Sequence, residues 1–165
     1  MSPAFSSYIW PIPPQDFMSQ YRGKEPVYLP GTPSKYASLV DTDDINQMLS
    51  RTVLGLGTVR IRLPEAKQVP LDNFSTPVDM NRDRRAMKAQ AVEDHLKAGA
   101  TLSVEHCESF FQNVHIMCCA LAEAFIARVY ATLFLVYQAE RPCGLHWDDR
   151  DMFVCQVAGR KNWPI

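Results

Sequence analysis

The stretch GLHWDDRDMFVCQVAGRKNWPI, residues 144–165, decides how the rest of the chain is read. A histidine and two aspartates fall close together, an apolar run follows, then Gly-Arg-Lys and a tryptophan. On an extended chain, side chains two positions apart share a face. His146 and Asp148 are therefore expected on one face, with Trp147 and Asp149 on the other. An imidazole and a carboxylate at the mouth of a strand can grip one cation. They supply two of the three donors of the two-histidine, one-carboxylate triad that suits non-haem iron. Taken alone, the triplet is better read as a polar strand start, with Asp148 or Asp149 capping a turn. The residues after it add to the metal reading. Asp151 to Trp163 reads as a strand, a turn at Ala158–Gly159 or Gly159–Arg160, and a return strand. With the first of these turns Gln156 lies across from Lys161, and Lys161 can point into the cavity that holds the metal. A lysine inside a barrel is costly unless it meets an anion, and a small dicarboxylate is a suitable one. The ordinary alternative is a Lys161 that faces water.

Working back from this stretch, YATLFLVY (130–137) reads as a buried strand and QAERPCG (138–144) as a loop delivering the triplet. EHCESFFQNVHIMCCALAEAFIARV (105–129) is the longest helix, with Phe110, Val114, Met117, Leu121 and Phe125 as its core stripe. ATLSV (100–104) is a strand, and RDRRAMKAQAVEDHLKAG (82–99) a helix stopped at Gly99. TVRIRL (58–63) alternates cleanly and predicts a half-buried strand. SLVDTDDINQMLS (38–50) predicts a helix capped at Asp41 or Thr42, with Ile45, Met48 and Leu49 on one face. Residues 64–80, punctuated by prolines 64, 70 and 77, read as a loop. PVYLP (26–30) reads as a short strand, and PPQDFMSQYRGKEP (13–26) as a short helix closing near Gly23. Residues 1–13 read as a loose, proline-rich lead-in.

Composition sets the limits. The chain is 165 residues long, 47% hydrophobic and 21% charged, which fits one globular domain with a substantial core. A formal net charge of -1 gives no bulk attraction to nucleic acid or an anionic membrane. Five cysteines, two of them adjacent, do not resemble a secreted disulfide framework. No signal peptide is visible, and the most apolar stretch, 116–137, is broken by Glu123 and Arg128. The expected compartment is a reducing cytoplasm.

The terminal stretch resembles the core motif of the JmjC-type cupin family that contains the ribosomal oxygenases. The likeness rests on His146, Asp148, Asp151, Phe153, Gln156, Gly159, Arg160, Lys161 and Trp163 together. Weaker likenesses lie upstream, in DFMSQYRGKEPVYLPG, AGATLSVEHCESF and LFLVYQAERPCGLHWD. The resemblance implies an α+β fold, with an N-terminal helix and strand region leading into a partial double-stranded β-helix (a jelly roll). It places one domain over 1–165, with a front half over 14–128 and the first barrel strands over 129–165. It implies an Fe(II)- and 2-oxoglutarate-dependent hydroxylase of protein side chains, with a ribosomal protein as the kind of substrate. By position, His146 and Asp148 would ligate iron, Lys161 would bind the distal carboxylate of 2-oxoglutarate, and Tyr137 would line the same pocket. No membrane or nucleic-acid partner is expected, and the oligomeric state is left open.

The family's second iron-binding histidine comes from a strand beyond the Gly-Arg-Lys segment, and no histidine follows Lys161 here. The jelly roll needs about eight strands, and only three or four are in view. The expectation is a C-terminally incomplete member with little or no turnover. The alternative is a non-catalytic binding or interaction module, or a relic, that keeps the family's front half. Two further clusters have ordinary readings. His115-x-x-Cys118 and Cys143-x-x-His146 have the form of a Cys2His2 zinc site, but cysteine on an apolar helix is more often a core residue. RDRRAMK (82–88) is basic, and reads as a solvated helix face beside Glu93 and Asp94.

Overall fold

The computed structural model describes residues 3–51, 53–64, 67–80, 82–137 and 148–161. In chain order the first elements are α1 (Pro3–Ile9), α2 (Pro14–Asp16) running into a π-helical turn (Phe17–Tyr21), α3 (Thr42–Arg51), β1 (Val53–Gly55) and β2 (Val59–Arg62). There follow α4 (Leu71–Phe74), β3 (Ser75–Pro77), β4 (Arg84–Met87), α5 (Ala89–Lys97), β5 (Thr101–Glu105), a short 3-10 turn (Cys107–Ser109), α6 (Gln112–Phe125) and β6 (Thr132–Val136). The fold is thus α+β, as expected. These elements fall into two compact units. One comprises Thr42–Phe110 and Ala131–Trp147, and the other Met1–Asp41, Phe111–Tyr130 and Asp148–Ile165.

The first of these units is built on two three-stranded antiparallel sheets, ordered β2-β5-β6 and β1-β4-β3. In the β2-β5-β6 sheet, Leu102 lies opposite both Ile61 and Leu135, and Val104 opposite both Val59 and Leu133. Period-two alternation therefore lines one face with branched apolar side chains, and Ile61, Leu102 and Val104 are fully buried. Arg60 on the other face of β2 pairs with Glu105 at 3.0 Å. The helix α3 forms where the acidic first turn predicts it, with Asp43 and Asp44 near its N-terminus and Met48 and Leu49 buried. α5 buries Val92 and Leu96, and Gly99 follows with φ +88°, the left-handed turn expected of a helix stop.

The β1-β4-β3 sheet corrects the sequence reading. RDRRAMK was expected to begin a helix, but its Arg84–Met87 portion is the central strand of this sheet, and the helix starts only at Ala89. The reason is tertiary. β4 is paired on both edges, and Arg85 is buried, donating from Nε to the Ser75 hydroxyl at 2.6 Å and from its terminal nitrogen to the Asp72 carboxylate. Arg82 reaches the same carboxylate at 3.1 Å, and Lys88 donates to the Asp72 carbonyl at 2.8 Å. A buried guanidinium needs such partners, and they lie on α4 and β3, inside the stretch expected to be a plain loop.

The other unit packs α1, the π turn, α6 and the motif segment around aromatic rings. The N-terminal stretch is no loose lead-in: α1 buries Phe5 and Ile9, one helical turn apart, because both side chains have apolar neighbours to meet. The ring of Phe5 stands edge-on to Phe125 at 5.4 Å and to Phe17 at 6.2 Å. The turn of helix after Pro14 ends where expected, with Gly23 at φ +65°. Residues 26–30 form no strand. α6 begins at Gln112, later than expected, because Cys107–Ser109 forms a separate 3-10 turn after His106 in the left-handed region. Asn113 ties its first turn to the Ser38 carbonyl at 2.6 Å.

The ion pair at Asp72 predicts a pH dependence. Arg85, and then Arg82, hold this carboxyl below its ordinary value. A carboxylate with a lowered folded-state pKa adds stability above its unfolded pKa and loses it as pH falls through the folded value. Stability is therefore expected to fall from about pH 4 downward, with Asp72→Asn less stable than the parent at pH 7 and flatter over the acid range in denaturant titrations.

Candidate active site

Phe153 fixes the position of the motif segment. Its ring lies 5.7 Å from Phe125 and 5.8 Å from Phe17, completing a cluster of four phenylalanines with Phe5. Two residues on, the Cys155 thiol donates to the Met117 sulfur at 3.9 Å and lies beside the Tyr36 hydroxyl. That hydroxyl also donates to the Tyr8 carbonyl at 2.7 Å, and burial, with Cys155 beside it, pushes its pKa up to about 12. Burial likewise pushes the Cys155 thiol up. Nearby, Lys35 donates to the Trp10 carbonyl at 2.7 Å, and burial lowers its pKa.

Along this segment Phe153, Cys155 and Val157 are half-buried, while Met152, Val154 and Gln156 are exposed. The expected alternation is thus present. The expected hairpin is not: residues 151–157 join no sheet among the described residues, and the chain bends at Ala158–Gly159, with Gly159 at φ +73°. Gln156 donates to the Ala158 carbonyl at 2.7 Å, so it closes the bend locally rather than facing Lys161 across a ladder.

The site residues expected from the motif are placed as follows. Asp148 and Lys161 are exposed and lie at either end of the segment that Phe153 anchors. Asp148 has no hydrogen-bond or ion-pair partner among the described residues, whereas Asp149 pairs with Arg150 at 3.5 Å. The Arg150 guanidinium also stacks over the Tyr130 ring at 5.8 Å. Tyr137 is 54% exposed, just past the end of β6. His146 lies outside the described residues, as does the Cys143 half of the zinc pattern. No group of three or more histidine, cysteine or acidic side chains converges among the described residues. The other half of the zinc pattern fails by helix geometry: Cys118 is buried on α6 while His115 is exposed, and His115 meets Cys119 instead.

Comparison with known proteins places this segment. Residues 106–165, from the 3-10 turn before α6 through the motif, match the JmjC domain family. Over this segment the chain is similar to the JmjC-type cupins. It is 26% identical, over 94% of its length, to the bifunctional lysine-specific demethylase and histidyl-hydroxylase NO66 of Brugia malayi. It is 25% identical to proteins of the same name from Dictyostelium discoideum and Aedes aegypti, over 92% and 98% of its length. The chain spans 21%, 28% and 24% of these three relatives. JmjC proteins form an oxygenase family of the iron and 2-oxoglutarate type. Among the described residues no helix is long and apolar enough to cross a membrane.

The two sulfur environments should differ in reactivity, since the thiolate is the nucleophile. In a Cys143→Ser background, Cys119, exposed on α6, is expected to react with a disulfide reagent before Cys155. Cys119→Ser should remove the fast phase. The Cys155 phase should accelerate only above the usual thiol range of about pH 8.5. A fast phase that instead disappears with Cys155→Ser contradicts the packing described around Tyr36 and Met117.

Proposed function

We propose that this chain carries part of the active site of an Fe(II)- and 2-oxoglutarate-dependent oxygenase that hydroxylates a protein side chain. The observation that carries the reading is the joint presence of His146, Asp148, Lys161 and Tyr137 within the stretch that matches the JmjC domain. The donor chemistry fits: a neutral imidazole and a carboxylate suit Fe(II), and the Asp148 carboxylate is exposed and unengaged among the described residues. His146 and Asp148 would hold the metal. Lys161 would neutralise the distal carboxylate of 2-oxoglutarate, and Tyr137 would line the same pocket. When bound, iron and 2-oxoglutarate would together supply the activation of oxygen. The remaining barrel strands and the third iron ligand would come from elsewhere in a complete jelly roll.

The relatives are named for histidyl hydroxylation and lysine demethylation. We take a protein side chain as the substrate class here, with histidine in a ribosomal-type protein as the first candidate, in a cytoplasmic setting. Binding of Mn(II) in place of Fe(II) tests the metal site directly, and decarboxylation of 2-oxoglutarate tests the chemistry. His146→Ala and Asp148→Ala should each abolish Mn(II) binding at this site. Lys161→Ala should leave metal binding intact and weaken 2-oxoglutarate binding roughly 10- to 150-fold, the loss of one charge-assisted contact. Metal binding that survives His146→Ala contradicts the ligand assignment. Metal binding without decarboxylation in the intact protein would favour the non-catalytic module.

A further inference from the structure

α6 presents two donors that the proposed iron site does not use. His115 and Cys119 are four residues apart on its exposed face, and the imidazole Nε2 and the Cys119 sulfur share a hydrogen bond of 3.5 Å. Their neighbours Val114, Met117 and Cys118 turn inward and are buried. Zinc–sulfur and zinc–nitrogen bonds of about 2.3 Å and 2.0 Å, meeting at a tetrahedral angle, set the two ligand atoms about 3.5 Å apart. The two side chains therefore already stand at the bite distance of one tetrahedral cation. A helix fixes side chains four apart on one face, so little further ordering is needed for both to bind together.

We propose that His115 and Cys119 form a chelating site for a zinc-class divalent cation. One imidazole nitrogen and one thiolate sulfur come from α6, and solvent fills the remaining positions. A thiolate with an imidazole selects zinc and its borderline-soft neighbours over magnesium or calcium. Binding displaces the Cys119 thiol proton to solvent and leaves the neutral imidazole to donate its Nε2 lone pair, so affinity rises with pH. No residue of the 144–165 motif takes part, and the proposal stands apart from the iron reading.

Cobalt(II) is the probe, because a thiolate ligand gives it a near-ultraviolet charge-transfer band that an imidazole and carboxylate site does not. The intact chain is expected to show this band at one cobalt per chain and to lose it when zinc is added. Cys119→Ser should abolish it, and His115→Ala should weaken cobalt binding by about a hundredfold or more, the advantage of holding two linked donors. Both residues are exposed, so far-ultraviolet circular dichroism should match the parent in each variant. The band should persist in His146→Ala, which separates this site from the proposed iron site. A band that survives Cys119→Ser, or an affinity unchanged by His115→Ala, overturns the proposal. So does a stoichiometry of one cobalt per two chains, which would assign the metal to a contact between copies.

Discussion

The motif segment depends on Phe153 being held against Phe17 and Phe125, both of which meet Phe5. Residues 151–157 are extended but join no ladder among the described residues, so side-chain packing must do what backbone pairing does in a sheet. Aromatic pairs at 5–6 Å contribute about 0.5–1.5 kcal/mol each beyond their buried area, and Phe153 makes two of them. Cys155 adds a second anchor two residues on, against Met117 and the Tyr36 hydroxyl. Anchors two apart fix the rotation of an extended chain, because its side chains alternate. With Phe153 and Cys155 turned inward, Met152, Val154 and Gln156 must turn outward. The segment's orientation thus comes from α1, the π turn and α6, which sets the frame in which Asp148 and Lys161 are presented.

In the other unit the corresponding role falls to β5. It is paired along both edges, and Leu102 and Val104 are the only residues of the β2-β5-β6 sheet that face apolar partners on two neighbouring strands at once. Among the described residues β6 is paired on one edge only, and its Phe134 and Val136 are exposed on the face opposite Leu133 and Leu135. Tyr137 follows directly, so the residue expected to line a cofactor pocket extends a strand whose own register is set by β5.

Legibility in the sequence followed how local each determinant was. β2, β5 and β6 were readable because period-two alternation or a continuous apolar run is a property of the segment itself. α3 and the Gly99 stop were readable from caps and first-turn charge for the same reason. β4 was not, since Arg-Arg-Ala-Met-Lys favours a helix on intrinsic propensity and becomes a strand only through β1, β3 and the partners of Arg85. The burial of α1 was hidden for a related reason: Phe5 and Ile9 need an α6 to pack against, and nothing in residues 1–13 announces it. For the motif, identity was legible and conformation less so. The alternation is there, but the ladder that an HPHP pattern suggests depends on partner strands, which the pattern cannot supply.

The same distinction explains the cysteines of α6. On a helix, i to i+3 and i to i+4 both lie near one face, so spacing alone pairs His115 with Cys118 or with Cys119. What separates them is the direction of the core. The stripe Val114, Met117, Cys118, Leu121 turns inward, so Cys118 goes with it, while Cys119 falls on the far side beside His115. Adjacent sulfurs thereby acquire opposite chemistry. One is removed from water as a small apolar residue, and the other stands in water beside an imidazole at the spacing of a shared ligand. Burial by the helix's own packing, rather than any difference between the side chains, decides which of the two can meet a metal.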